Sequence, residues 1–222
     1  MKEKTNIVRL IQAQGPLVAL LVLCAVASFC FPGFLVPVNL ANIFRQVSMI
    51  GLVSIGMTFV ILSGGIDLSV GSIAAVASVI AARLSAQYGL LVILVPVLAG
   101  IGIGAVNGLL VTRASIPPFI ATLAMMLGAR GLAFIMAGGA PVASDSSAWL
   151  SQIAKADILG VPWPGIIFVM ALGVAIVVAG HTGFGRSLYA IGGNEEAAVM
   201  MGLNVNRNKM LVYMICGGLA GA

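Results

Sequence analysis

The chain has 222 residues, of which 61% are hydrophobic and 8% charged, with a formal net charge of +5. Soluble domains carry about 25% charged residues, so this composition cannot clothe a water-facing surface and points to the bilayer as solvent. The positive charge is scattered through short connections and is nowhere interleaved with aromatics, which argues against a nucleic-acid surface.

Apolar runs recur at the length of about 20 residues that crosses the hydrocarbon core as a helix. Alternating segments of roughly 10 residues, the pattern of a membrane barrel, are absent. The expected fold is therefore all-α: a polytopic transmembrane bundle of six full spans plus the start of a seventh. Span one runs from Pro16 to Phe31 and ends at the Pro32-Gly33 turn. The basic residues Lys2, Lys4 and Arg9 before it and Ala25-Val26-Ala27 within it also fit a cleaved leader, but an uncleaved span suits a chain that is apolar throughout. Asn39 is expected to cap span two, which reaches Leu62 and is broken by Ser63-Gly64-Gly65.

Asp67 can cap span three, Leu68 to Ala82. As an ionisable residue beside a span it is also a functional candidate. Span four covers Leu90 to Val111 and carries Gly100, Gly104 and Gly108 at a spacing of four, the small-residue pattern that lets helices approach closely in lipid. Gly71, Ala75, Ser78 and Ala82 give span three a similar face. Asn107 on span four can bond across helices or touch substrate. Pro117-Pro118 opens span five, which ends near Ala137. Arg130 lies within it, lining a polar route or snorkelling outward.

The stretch from Gly138 to Gly160 is too polar for lipid, and span six follows from Val161 to Gly180. A second polar stretch, His181 to Asn208, precedes a seventh span beginning near Lys209. Fourteen residues remain from there, fewer than a crossing needs, so the domain is expected to be C-terminally incomplete. Basic residues set orientation. With the N-terminus in the cytoplasm, Lys2, Lys4, Arg9, Arg113, Arg186, Arg207 and Lys209 fall inside and Arg45, Arg83 and Lys155 outside, seven against three. That orientation makes the 181–208 loop cytoplasmic.

Within this loop Asn194 can cap a short helix whose first turn holds Glu195 and Glu196, where the helix dipole favours carboxylates. Ala197 continues it and Gly202 is a natural stop. Val199, Met200 and Met201 are apolar, and a helix of two turns is marginal in water unless it packs on something. The partner surface is either a cytoplasmic protein or the bundle and lipid interface. Other chemistry is thin. Cys24, Cys30 and Cys216 show no metal or disulfide spacing and read as packing residues. His181, the single histidine, ends a span and has no triad around it. No G-x-x-x-x-G-K-[ST] phosphate loop occurs.

The run Gly185-Arg186-Ser187-Leu188-Tyr189-Ala190-Ile191-Gly192-Gly193-Asn194-Glu195-Glu196-Ala197-Ala198, followed by Gly202-Leu203-Asn204-Val205-Asn206, resembles the coupling loop of ribose-type sugar permeases of ABC importers. Gly56-Met57-Thr58-Phe59-Val60-Ile61-Leu62-Ser63-Gly64-Gly65-Ile66-Asp67-Leu68-Ser69-Val70-Gly71-Ser72 resembles them too, as do Asn107-Gly108, the Pro117–Leu123 run and Ala129-Arg130-Gly131. The likeness implies a permease of around ten spans. It implies a second permease chain, an ABC ATPase beneath and a periplasmic or extracellular solute-binding protein above. The 181–208 loop would be the coupling loop, with Asn194, Glu195, Glu196, Ala197, Val199, Met200 and Gly202 carrying the ATPase contact. Such a chain sits in the bacterial plasma membrane, holds no cofactor of its own and leaves ATP to the partner. Its cargo would be a monosaccharide such as ribose. The rival readings are a secondary transporter with broken helices, which the Ser63–Asp67 break invites, and a branched-chain amino-acid permease.

Overall fold

Twenty-six residues without a charge except Arg45 form the longest helix among the described residues, α2. The computed structural model describes residues 14–85, 89–143, 152, 156–158 and 160–222. Lys2, Lys4, Arg9 and Lys155 lie outside these residues. Helix follows helix: α1 (Gly15–Cys30), α2 (Pro37–Leu62), α3 (Val70–Leu84), α4 (Leu91–Thr112), α5 (Pro118–Ala137), α6 (Trp163–His181), α7 (Gly183–Gly193), α8 (Glu195–Met200) and α9 (Val205–Gly221). The strand content described is the pair β1 (Asp157–Ile158) and β2 (Val161–Pro162), antiparallel, with Asp157 opposite Pro162. The protein is an all-α membrane bundle. Helices α2, α4, α5 and α6 are long and apolar enough to cross a bilayer, and α1 and α3 are shorter apolar helices.

The chain divides into two compact units, Met1–Phe44 and Arg45–Ala222. In the first, α1 buries none of its residues. Asn39 does not cap α2. Pro37 opens that helix, its fixed φ suiting the first turn, and the Asn39 amide donates back to the Phe34 carbonyl at 2.8 Å.

In the second unit the closest helix pair is α4 with α9, and glycine makes it possible. A Cβ on Gly100 would overlap the Gly217 carbonyl, one on Gly217 would overlap the Gly100 carbonyl, and one on Gly104 would overlap the Tyr213 carbonyl. Gly108 faces Met210 and Gly221 faces Pro96, so the two helices run antiparallel. Lipid offers no hydrophobic drive for helix association, and backbone approach of this kind supplies dispersion contact instead. Around α9, Val212, Tyr213 and Cys216 pack with Ile55, Phe59 and Val60 of α2 and Leu188 of α7. A second cluster joins Val76 of α3 to Ala129 and Ala133 of α5.

Two differences from the sequence reading are instructive. The 181–208 loop holds not one short helix but two, because Gly183–Gly193 is also helical: the Thr182 side chain accepts from the Gly185 amide and caps it. And α9 begins at Val205, not Lys209, because Asn204 caps it by accepting from the Arg207 amide at 3.0 Å.

Candidate functional site

Among the described residues, polar chemistry gathers in a buried knot around Asp67 and on an exposed helix at α8. The knot begins where α2 stops. Ser63 bonds back to the Val60 carbonyl, Gly64 takes a left-handed φ of 77°, and Ile66-Asp67-Leu68 runs without regular structure to α3. Asp67 is fully buried. Its Oδ1 accepts from the Ser69 amide at 2.9 Å and from the Ser69 hydroxyl at 2.6 Å. Ser69, not Asp67, occupies the N-cap position of α3; Asp67 forms the turn that leads into it. Burial pushes the Asp67 carboxyl above its ordinary range, against the opposing hydrogen bonds from Ser69.

Asn107, also fully buried, donates from α4 to the Ser69 hydroxyl at 2.8 Å. The Tyr213 hydroxyl of α9 donates to the Ile66 carbonyl at 3.3 Å, and the Thr122 hydroxyl of α5 approaches the same carbonyl at 3.5 Å while bonding Pro118 at 2.8 Å. Hence the break after α2 is tied to α4, α5 and α9 through side chains. Asn107 is therefore a cross-helix bond in this structure. Ser69, Thr122 and Tyr213 were missed by sequence reasoning, because a serine, a threonine and a tyrosine in apolar company carry no spacing signal.

Arg130 does not join the knot. Helix α5 buries Ala121, Thr122, Ala129 and Ala133, and Arg130 is exposed beside that face with no hydrogen bond or ion pair to another described residue. Arg45 pairs with Asp157 at 3.0 Å.

The 181–208 segment is built on the end of this unit where α2 stops. Gly192 sits so close to the end of α2 that a Cβ would overlap the Leu62 carbonyl, with the Gly64 backbone alongside. Asn194 then caps α8, its Oδ1 accepting from the Ala197 amide at 2.9 Å. The inner face of α8 is fixed by an apolar cluster of Ile191, Ala198 and Val205 with Leu203 packed against it. Glu195 pairs with Lys209 of α9 at 2.6 Å. Ala197 is half-buried, and Glu196, Val199, Met200, Met201 and Gly202 are exposed. Met200 is 87% exposed, a large apolar side chain held out by a capped helix. Gly202 has φ 80°, the left-handed conformation that ends α8.

Residues 39–222 match the family described as the branched-chain amino acid transport system / permease component. The chain belongs to this permease family. It is 42% identical over 95% of its length to the ribose import permease protein of Bacillus subtilis (strain 168), covering 67% of that protein. It is 41% identical over 93% of its length to the ribose import permease protein of Escherichia coli (strain K12), covering 66%. The L-arabinose ABC transporter permease protein of Azospirillum brasilense is 36% identical over 96% of the chain, which covers 63% of it. The chain thus spans about two thirds of the length of these curated relatives, and within the family it is of the ribose type. No solved structure matches.

Proposed function

We propose that this chain is the membrane permease subunit of an ATP-driven ABC importer for a monosaccharide such as ribose. The observation that carries the reading is the 42% identity over 95% of the chain to a ribose import permease. The chain's own chemistry fits. It is a helical membrane protein with no phosphate loop, so ATP hydrolysis belongs to a separate ATPase. A second permease chain and an external solute-binding protein complete the machine.

The 181–208 segment is the coupling loop, with Val199 and Met200 toward the ATPase. Six helices, α1 to α6, cross the membrane and α9 begins the next crossing, with the N-terminus in the cytoplasm. Charge supports this orientation. Asn107 near the end of α4 meets Ser69 before α3, and Met210 meets Gly108, so Arg113, Arg186, Arg207 and Lys209 gather at one end of the second unit and Arg45 and Arg83 at the other. The basic end faces the cytoplasm. Arg130 is the candidate for the substrate pathway, and Asn107 reads as the bond across helices.

The test is uptake of labelled ribose by membranes holding this permease with its ATPase and binding protein. ATP-dependent ribose uptake is expected. The description of the matched family favours a second reading, branched-chain amino-acid import, and uptake of leucine but not sugar would establish that instead. Uptake without ATP would make the chain a secondary transporter. Orientation is read from Met200→Cys, which is expected to resist an impermeant thiol reagent applied to intact cells.

A further inference from the structure

Glu195 and Glu196 stand side by side at the start of α8, yet their surroundings differ. Glu196 is exposed and makes no ion pair among the described residues. Glu195 accepts from Lys209 Nζ at 2.6 Å, and the Lys209 side chain is only 14% exposed against 53% for the glutamate. Lys209 is in the second turn of α9. Its charge is kept in a mostly buried place, and Glu195 is the group that answers it.

The pair is not the only link. Ala198 of α8 and Val205 of α9 are both buried in one cluster with Ile191, and each of the two helices has its own asparagine cap. Together these contacts fix α8 to the first turns of α9 on one side and leave Glu196, Val199 and Met200 outward on the other. Beyond Lys209, α9 is locked to α4 by glycine contacts at Gly104 and Gly100.

We infer that Glu195 is a positioning residue, bound to Lys209 and not to a partner, which makes α8 and α9 move as one body. The inference rests on the reading of α8 as the ATPase-docking helix. It divides that helix by role. Glu195 sets its angle on α9, while Glu196, Val199 and Met200 form the face offered to the ATPase. A push on α8 is then delivered to α9, and through the glycine contacts to α4.

The experiment is charge reversal in the full transporter, read by sugar uptake and by cross-linking of Met200→Cys to the ATPase, in a background where the native cysteines are serine. Glu195→Lys and Lys209→Glu are each expected to lower uptake at least about tenfold, because each sets two like charges together at a pair whose Lys209 position is mostly buried. Lys209→Arg is expected to retain uptake. The double reversal is expected to recover most of the loss, though not all, since Glu195→Lys sets a cation at the positive end of the α8 dipole. Cross-linking that persists in a double reversal with no recovery of uptake would overturn the tether, as would single reversals with uptake unchanged. Failure of Met200→Cys to cross-link in the unreversed protein, beside intact rescue by the double reversal, would remove the docking reading and leave the tether standing.

Discussion

Gly192 lies against the Leu62 carbonyl at a separation that admits no side chain. The contact joins the end of α7 to the last turn of α2, and Gly64 beside it begins the break that Asp67 organises. Gly193, the next residue, has nothing within 4 Å of where its Cβ would stand. The two glycines form a matched pair of the same helix end. Gly192→Ala must displace backbone, at a cost of about 1–3 kcal/mol typical of overpacking, and is expected to impair coupling. Gly193→Ala is expected to leave ATPase stimulation and uptake unchanged. Equal behaviour of the two variants in an uptake assay would show that this contact transmits nothing.

Asp67 raises a different question, whether its charge or only its oxygen is needed. Its carboxyl is biased toward the neutral form by burial, and its Oδ1 serves two donors of Ser69. Asp67→Asn keeps an acceptor there and is expected to fold and transport. Asp67→Leu orphans the Ser69 amide and hydroxyl, at about 1–3 kcal/mol for a buried unsatisfied group. It is expected to lower the melting temperature in detergent. A well-folded Asp67→Asn protein without uptake would mean that the ionised carboxylate has a part in transport.

The α4–α9 seam is open to the same kind of comparison. Gly100→Ala and Gly217→Ala each push a methyl into a carbonyl of the facing helix, whereas nothing lies within 4 Å of a Cβ on Gly102. The first two are expected to destabilise the detergent-solubilised protein by about 1–3 kcal/mol, with Gly102→Ala neutral. Thermal unfolding followed by size-exclusion chromatography measures this, and a neutral Gly100→Ala would show that the helices can separate without loss.

Much of this is readable from residues alone. The ends of α4 and α5 fall within a residue or two of expectation because Pro118 and the apolar runs mark them. The spacing of Gly100, Gly104 and Gly108 correctly names the packed face of α4. What lies beyond reach is partnership at long range. Nothing in the spacing couples Tyr213 to Ile66, 147 residues earlier, since a single polar group has no period. Helix α7 escapes because Gly183, Gly185, Gly192 and Gly193 argue against helix by propensity, and tertiary contact at Gly185, Leu188 and Gly192 overrides that preference. Asn39 looks like a cap by residue type, but Pro37 has already begun the helix.

Helix α8 supplies the most direct test of the proposed coupling. It spans Glu195–Met200, six residues, too few to stand alone in water. Its stability comes from the Asn194 cap, the buried Ala198 and the Lys209 pair. Proline at Val199 removes a helical donor and clashes with the preceding turn, costing about 3 kcal/mol in a helix interior. A helix this short cannot spread that loss over neighbouring turns. The side chain of Val199 is exposed, so no core contact is lost with it, and the apolar helices are untouched. Val199→Pro is therefore expected to insert in the membrane at normal levels, to lose the ATPase in a pull-down and to transport nothing. Val199→Ala, which keeps the helix and trims one outward side chain, is expected to weaken ATPase retention only partly. Full retention and normal uptake by the proline variant would show that α8 is not the coupling element.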